Sequence, residues 1–216
     1  MAAVLSAEER DEMAIPSYRH PNPLLRWMAW RRVHLVLRSL KQWSDHTEVL
    51  RSERRVMDFG CGTGILFPSL AGEFGRIYGV DPVLTAARMT VQSCGLERIE
   101  LMTPEETARL PPESMDVVIC AEVLEHVDDL EDTIPLLRSK LKPGGLLLVS
   151  LPSENGLYRL GRRLAGFSGE YHHHSAASVD PLIRRLGFDQ KRLTRTPLPG
   201  PFAIYWIIEY VKAREI

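Results

Sequence analysis

Gly60, Gly62 and Gly64 stand at alternate positions in the run V-M-D-F-G-C-G-T-G-I-L-F, between a strand-like and a helix-like stretch. Glycines so spaced let the backbone turn sharply and leave room for a ligand against the main chain and the next helix N-terminus. An acid, Asp81, closes the following apolar stretch I-Y-G-V-D about twenty residues on, where a carboxylate can accept from both hydroxyls of a ribose. No Gly-Lys-Ser/Thr follows the loop, so it is not a phosphate loop. The third position of a dinucleotide fingerprint falls on Ile65, where close helix approach needs a small residue. What is left is a nucleoside ligand without a pyrophosphate.

A second constellation is E-x-x-E-H: Glu122, Glu125 and His126. On a helix, spacings of three and four put all three side chains on one face. Two carboxylates and an imidazole can ligate a hard divalent cation (magnesium, manganese or zinc), which would polarise an acceptor oxygen and lower its pKa. The His172-His173-His174 run offers a base or a fourth ligand, with His173 and His174 preferred. The candidate catalytic side chains are Glu122, His126, His173 and His174; the candidate metal ligands are Glu122, Glu125, His126 and His174. The same E-x-x-E-H also suits a plain helix start, with acids at the positive end of the dipole and His126 merely packed, and the histidine run also suits a solvated loop.

The elements that must position these groups alternate. Short apolar runs at 55–59, 77–80, 99–102, 116–120 and 146–151 predict strands, and periodic stretches at 65–74, 84–94 and 124–141 predict helices between them. Strand, helix, strand at these intervals implies βαβ units and a parallel sheet. A further helix is expected over 180–186 and two last strands over 188–194 and 204–211. Residues 1–20 read as a polar, loosely packed arm, and 153–178 as a long irregular segment of the kind that is usually functional. From Pro23 to Trp43 runs a helical stretch mixing arginines with Trp27, Trp30 and Trp43, suited to cover a cleft or to rest on an anionic membrane surface.

With 216 residues, 27 basic and 28 acidic side chains, the chain suits one soluble domain and is not a globally basic nucleic-acid coat. Three cysteines, Cys61, Cys94 and Cys120, argue by number and spacing against a disulfide scaffold or a zinc finger, and their neighbours suggest reduced core thiols. The first residues, M-A-A-V-L-S-A-E-E-R-D-E, are unlike a signal peptide, and no uncharged apolar stretch nears the ~20 residues that span a bilayer. The expected setting is cytoplasmic.

D-F-G-C-G-T-G resembles motif I of the class I S-adenosylmethionine-dependent methyltransferases, and M-D-V-V-I-C-A-E-V-L-E-H and L-K-P-G-G-L-L-L-V-S match that family in order and spacing. The resemblance implies an α/β, Rossmann-like seven-stranded, mostly parallel sheet with helices on both faces, an antiparallel last strand and an N-terminal helical lid. It divides the chain into an arm and helical cap, 1–50, and a methyltransferase domain, 51–216. It also assigns the cofactor S-adenosyl-L-methionine to Asp58, Gly60, Cys61, Gly62 and Gly64 at its methionine end and to Asp81 and Pro82 at the ribose. By the same resemblance Glu106 and Thr107 lie at the adenine and Cys120 beside the methionyl part. The E-x-x-E-H part is similar to ubiquinone-pathway O-methyltransferases and, with a later histidine, to metal-dependent small-RNA 2′-O-methyltransferases. The implied activity is methyl transfer to a small or lipid-like acceptor, at oxygen in preference to carbon or nitrogen, with peripheral membrane contact as an accompanying reading. The alternatives are an RNA 2′-O-methyltransferase, disfavoured by the missing basic charge, and a non-catalytic cofactor-binding module. The oligomeric state is left open.

Overall fold

The computed structural model describes residues 15–156 and 174–213. The chain divides into two compact units, Met1–Arg109 and Leu110–Ile216.

In the first unit, helix α1 (Pro23–His46) follows a short helical turn, Ile15–Tyr18. Its start is written in the sequence: the Asn22 side chain accepts from the Leu24 amide at 2.9 Å, and Pro23 occupies the first turn, where a missing N–H costs nothing. Met28, Ala29, Val33, Val36 and Leu40 are the apolar part of the buried face, with Ala29, Val33, Val36 and Leu40 three and four residues apart. At the far end Trp43 stacks on Phe74, ring centroids 5.7 Å apart. Arg54, Ser44 and Glu73 form a polar cluster there, with the Ser44 hydroxyl donating to Glu73 at 2.5 Å.

Behind α1 come β1 (Arg55–Phe59), α2 (Phe67–Glu73), β2 (Arg76–Val80), α3 (Thr85–Ser93) and β3 (Ile99–Met102). β2 pairs in parallel with β1 and with β3. Four of the five residues in both β1 and β2 are buried, the continuous apolar pattern of a sheet covered on both faces. Helix α2 begins two residues later than the periodicity predicts, because Gly64 to Leu66 are used in the turn out of β1. α3 stops at Cys94 and Gly95, the latter at φ +60°. Cys94 is exposed rather than a core thiol, since the cap places it outside the helix's buried face; Cys61 and Cys120 are buried as expected.

The second unit holds β4 (Met115–Ala121), α4 (Leu130–Lys140), β5 (Leu141–Pro152), α5 (Ala176–Arg185), β6 (Phe188–Pro197) and β7 (Ala203–Lys212). β4 and β5 are parallel, and β7 runs antiparallel to both β5 and β6. All seven strands belong to one sheet, ordered β3-β2-β1-β4-β5-β7-β6, mostly parallel and flanked by helices, with the antiparallel last strand the sequence implied. This is the Rossmann-like, mostly parallel sheet that the resemblance implied. α5 starts four residues before its predicted position because Ser175 and Ser178 form a reciprocal capping box. The helix expected over 124–141 is two elements: a 3₁₀ turn, Leu124–His126, and α4, capped by the Asp129 side chain accepting from the Asp132 amide at 3.0 Å.

Candidate functional site

At the end of β1 the chain turns on Gly60, Gly62 and Gly64, at φ +78°, +50° and +70°. These are left-handed backbone positions that residues with a Cβ rarely take. The turn is fastened to β2: the amides of Gly60 and Cys61 both donate to the Val80 carbonyl, at 2.8 and 3.0 Å. One residue past β2, Asp81 closes the arrangement. Its Oδ2 accepts from the Gly62 amide at 2.8 Å and its Oδ1 from the Val83 amide at 3.0 Å. Burial raises the Asp81 carboxyl above the usual range, and those two amides pull it back.

Asp58, two residues before Gly60 on β1, is almost wholly buried. Burial, and secondarily the Asp81 charge, pushes its carboxyl up to about 7. Cys61 is buried in the same loop, and burial drives its thiol far up, so it stays protonated and is no nucleophile. Gly62 and Gly64 differ in what surrounds them. A Cβ at Gly62 would meet nothing within 4 Å, whereas one at Gly64 would strike the Phe67 ring at 2.4 Å. Gly62 thus leaves open space over the loop, and Gly64 lets the first residue of α2 close on it.

The turn Glu105–Arg109 follows β3. Glu106 Oε2 accepts from the Thr103 amide at 2.9 Å, and the fully buried Thr107 hydroxyl donates to the Pro104 carbonyl at 2.5 Å. Both side chains therefore shape this turn, while Pro82 lies exposed beside Asp81. Sequence reasoning missed two residues of this unit. Tyr18 and Arg19, from the stretch read as a loosely packed arm, line a cavity of about 310 Å³ together with Thr63, Gly64, Ile65, Pro68 and Thr90. Arg32 donates to the Tyr18 hydroxyl at 3.0 Å and Trp30 Nε1 to the Tyr18 carbonyl at 3.2 Å, so α1 holds this segment in place. The sequence signal is Arg32, a cation among the buried positions of α1.

In the second unit, Cys120 is buried in β4 opposite Val149 of β5. Glu122 follows at φ +57°, an uncommon conformation for a side-chain-bearing residue. Its amide donates to the Ser150 carbonyl at 3.0 Å, and its Oε1 accepts from the Ser150 hydroxyl at 2.5 Å. The E-x-x-E-H residues do not share a helix face: Glu122 precedes the 3₁₀ turn, Glu125 is fully buried in it and His126 is exposed. The His174 amide donates to the Glu125 carbonyl at 3.4 Å, which brings the end of the histidine run to this turn by backbone. Among the described residues no group of three or more His, Cys, Asp or Glu side chains is placed to hold a metal ion. Glu122, Glu125, His126 and His174 therefore do not form the expected ligand set, because a helix face was needed to align them. His173 lies outside the described residues.

The donor set of the first unit suits a cationic nucleoside: a buried acid beneath the loop, a second acid held at the end of β2, and open space over Gly62. A family model described as a methyltransferase domain matches residues 28–190. A ubiquinone biosynthesis O-methyltransferase of Thiobacillus denitrificans is 34% identical over 170 residues, covering 71% of this chain and 72% of that protein. One of Aeromonas salmonicida is 36% identical over 106 residues, 47% of this chain and 44% of its own length. The chain spans about half the length of several such relatives, 44% and 50% in two of them. Among solved structures, the N-methyltransferase NodS of Bradyrhizobium japonicum, in complex with S-adenosylhomocysteine, superposes with a TM-score of 0.67 at 18% identity, covering 96% of this chain and 97% of that one. On the family match and the fold together, the chain belongs to the methyltransferase-domain family, in its class I S-adenosylmethionine-dependent branch.

Proposed function

We propose that the chain is an S-adenosylmethionine-dependent methyltransferase that methylates a hydroxyl oxygen of a small or lipid-like acceptor. The observation that carries the reading is the hydrogen bond from the Gly62 amide to Asp81, which fixes the open loop and the ribose-binding acid as one unit. The relatives named for ubiquinone biosynthesis support oxygen as the acceptor atom. Bound S-adenosylmethionine supplies a methyl group on a sulfonium, and its transfer cancels a positive charge, so alignment carries much of the catalysis.

The residues divide the remaining work. Asp81 and Pro82 take the ribose side, Asp58 and the loop of Gly60, Cys61, Gly62 and Gly64 the amino-acid side, and Glu106 and Thr107 the adenine side. Arg19, exposed at the cavity beside Thr63 and Gly64, suits the ligand's carboxylate. Cys120 contributes backbone at the methionyl part. Glu122, held by Ser150, is the candidate base for the acceptor hydroxyl, with His126, His173 and His174 as the other candidates for proton transfer. No divalent cation enters this scheme, since its four candidate ligands are not gathered. Residues 1–50 serve as arm and cap and 51–216 as the transferase domain, in a cytoplasmic enzyme that meets its acceptor at a membrane surface. The RNA 2′-O-methyltransferase and non-catalytic alternatives draw no support from the relatives.

The test is product profiling: cell extract incubated with the enzyme and methyl-labelled S-adenosylmethionine, with and without chelator. A labelled O-methyl ether or quinol product that persists in chelator is the expected result. Label confined to RNA, or lost with the metal, would overturn the reading.

A further inference from the structure

We propose that the outer face of α1, where Leu24, Trp27 and Trp30 sit among Arg26, Arg31 and Arg38, is a docking surface for an anionic lipid bilayer. Leu24, Trp27 and Trp30 are 62%, 46% and 39% exposed, although the opposite face of the same helix, from Met28 to Leu40, is buried in its own unit. The apolar groups are therefore not the edge of the core. Leu24, Trp27, Arg31, His34 and Arg38 follow spacings of three and four, which places them in one stripe along the helix.

Charge says what covers the stripe. Outside the buried face, this stretch carries Arg26, Arg31 and Arg38 and no acid from residue 15 to 44, in a chain whose net charge is −1; Arg32 is buried against Tyr18 and Lys41 is paired with Asp45. A second copy of the same face would bring like charges together, so a homodimer through it is disfavoured. An anionic bilayer offers both complements at once: acidic headgroups for the arginines and a hydrocarbon boundary for Leu24. The indoles suit that boundary. Trp30 has its N–H satisfied by the Tyr18 carbonyl at 3.2 Å, and the Arg31 guanidinium lies 5.3 Å from the Trp27 ring centre, so each presents an apolar body beside a polar edge. Contact would be peripheral, because among the described residues no helix is long and apolar enough to cross a membrane. The proposal rests on this surface and not on the methyltransferase reading, though a lipid-like acceptor would give it a purpose.

The test is vesicle co-sedimentation of the full chain, with S-adenosylhomocysteine binding measured in parallel. Vesicles containing phosphatidylglycerol should pellet the protein, vesicles of phosphatidylcholine alone should not, and tryptophan emission should shift to the blue on binding. Raising salt from about 0.1 to 1 M shortens the screening length from ~10 to ~3 Å and should release it. Arg31→Glu with Arg38→Glu, and separately Leu24→Ser with Trp27→Ser, should each weaken vesicle binding about tenfold or more. Because these side chains lie on the solvent side of α1, nucleoside binding should survive in both double variants and report an intact fold. Absent or charge-independent vesicle binding, a dimer abolished by the serine pair, or tighter binding to a single-stranded oligonucleotide than to vesicles would overturn the proposal. A protein that binds vesicles but no S-adenosylhomocysteine would instead refute the methyltransferase reading and leave the surface standing.

Discussion

The Gly62 amide donates to Asp81 Oδ2 at 2.8 Å, tying the middle of the glycine turn to the acid that ends β2. One carboxylate thus shapes the loop and, in the proposed role, also faces the nucleoside. Asp81→Ala removes the two functions together, and a hydrogen bond to a charged group is worth about 1.5–3 kcal/mol. Calorimetry should show S-adenosylhomocysteine affinity falling about 10- to 100-fold, with Asp81→Asn losing less because its amide oxygen can still accept from Gly62.

The glycines should separate binding from stability. At Gly62 a Cβ meets open space but sits at φ +50°, so Gly62→Ala should cost about 1–2 kcal/mol in a denaturant titration. Its larger effect should be on ligand affinity, since the methyl group projects into the open space proposed for the nucleoside. At Gly64 the new Cβ would lie 2.4 Å from Phe67, a ring that is wholly buried. Gly64→Ala should therefore lower the melting temperature well beyond Gly62→Ala.

Asp58 predicts a pH dependence. Its folded-state carboxyl lies near 7, above the ordinary 3.8, so between those values the folded protein holds a proton that the unfolded chain has released. Stability from this group is present at low pH and falls as pH rises from about 4 through 7. Denaturant titrations should show Asp58→Asn flattening this slope, with a gain on the order of a few kcal/mol near pH 8. A cationic ligand beside Asp58 favours the carboxylate, so S-adenosylmethionine binding near pH 6.5 should release protons, detected as a buffer-dependent binding enthalpy; Asp58→Asn should abolish that dependence.

Glu122 is held in a left-handed conformation, with Ser150 donating to its carboxylate. If it accepts the acceptor's proton, Glu122→Gln should lower kcat by about 10²–10⁴ while leaving S-adenosylhomocysteine affinity within about twofold. Ser150→Ala, which frees the carboxylate without removing it, should have a smaller effect and shift the pH profile of kcat. Equal kcat for Glu122→Gln and the parent enzyme would remove Glu122 from the reaction.

The unequal legibility of the two units has a local cause. The glycine turn, Asp58 and Asp81 could be placed from sequence because each is fixed by chain-neighbour geometry: a strand end, glycines needed for positive φ, and an acid closing the next strand. E-x-x-E-H was misplaced because its spacing fits a helix only if a helix starts there. Asp129 supplies a better cap seven residues after Glu122, and the intervening chain folds as a 3₁₀ turn with Glu125 buried. Arg19 was missed for the opposite reason. Nothing in a polar arm marks it, and its position depends on Arg32 and Trp30 of α1 gripping Tyr18 from fourteen and twelve residues away.

By itself the sequence determined the alternation of strands and helices, the glycine turn with its closing acid and the family, since short-range spacing and glycine stereochemistry suffice for these. Only the tertiary structure decided that Asp58 is buried enough to hold its proton near neutrality, that the four supposed metal ligands stay apart, and that three large apolar side chains of α1 face solvent. Each depends on which surfaces are removed from water and which groups meet across long stretches of chain, and periodicity carries no information about either.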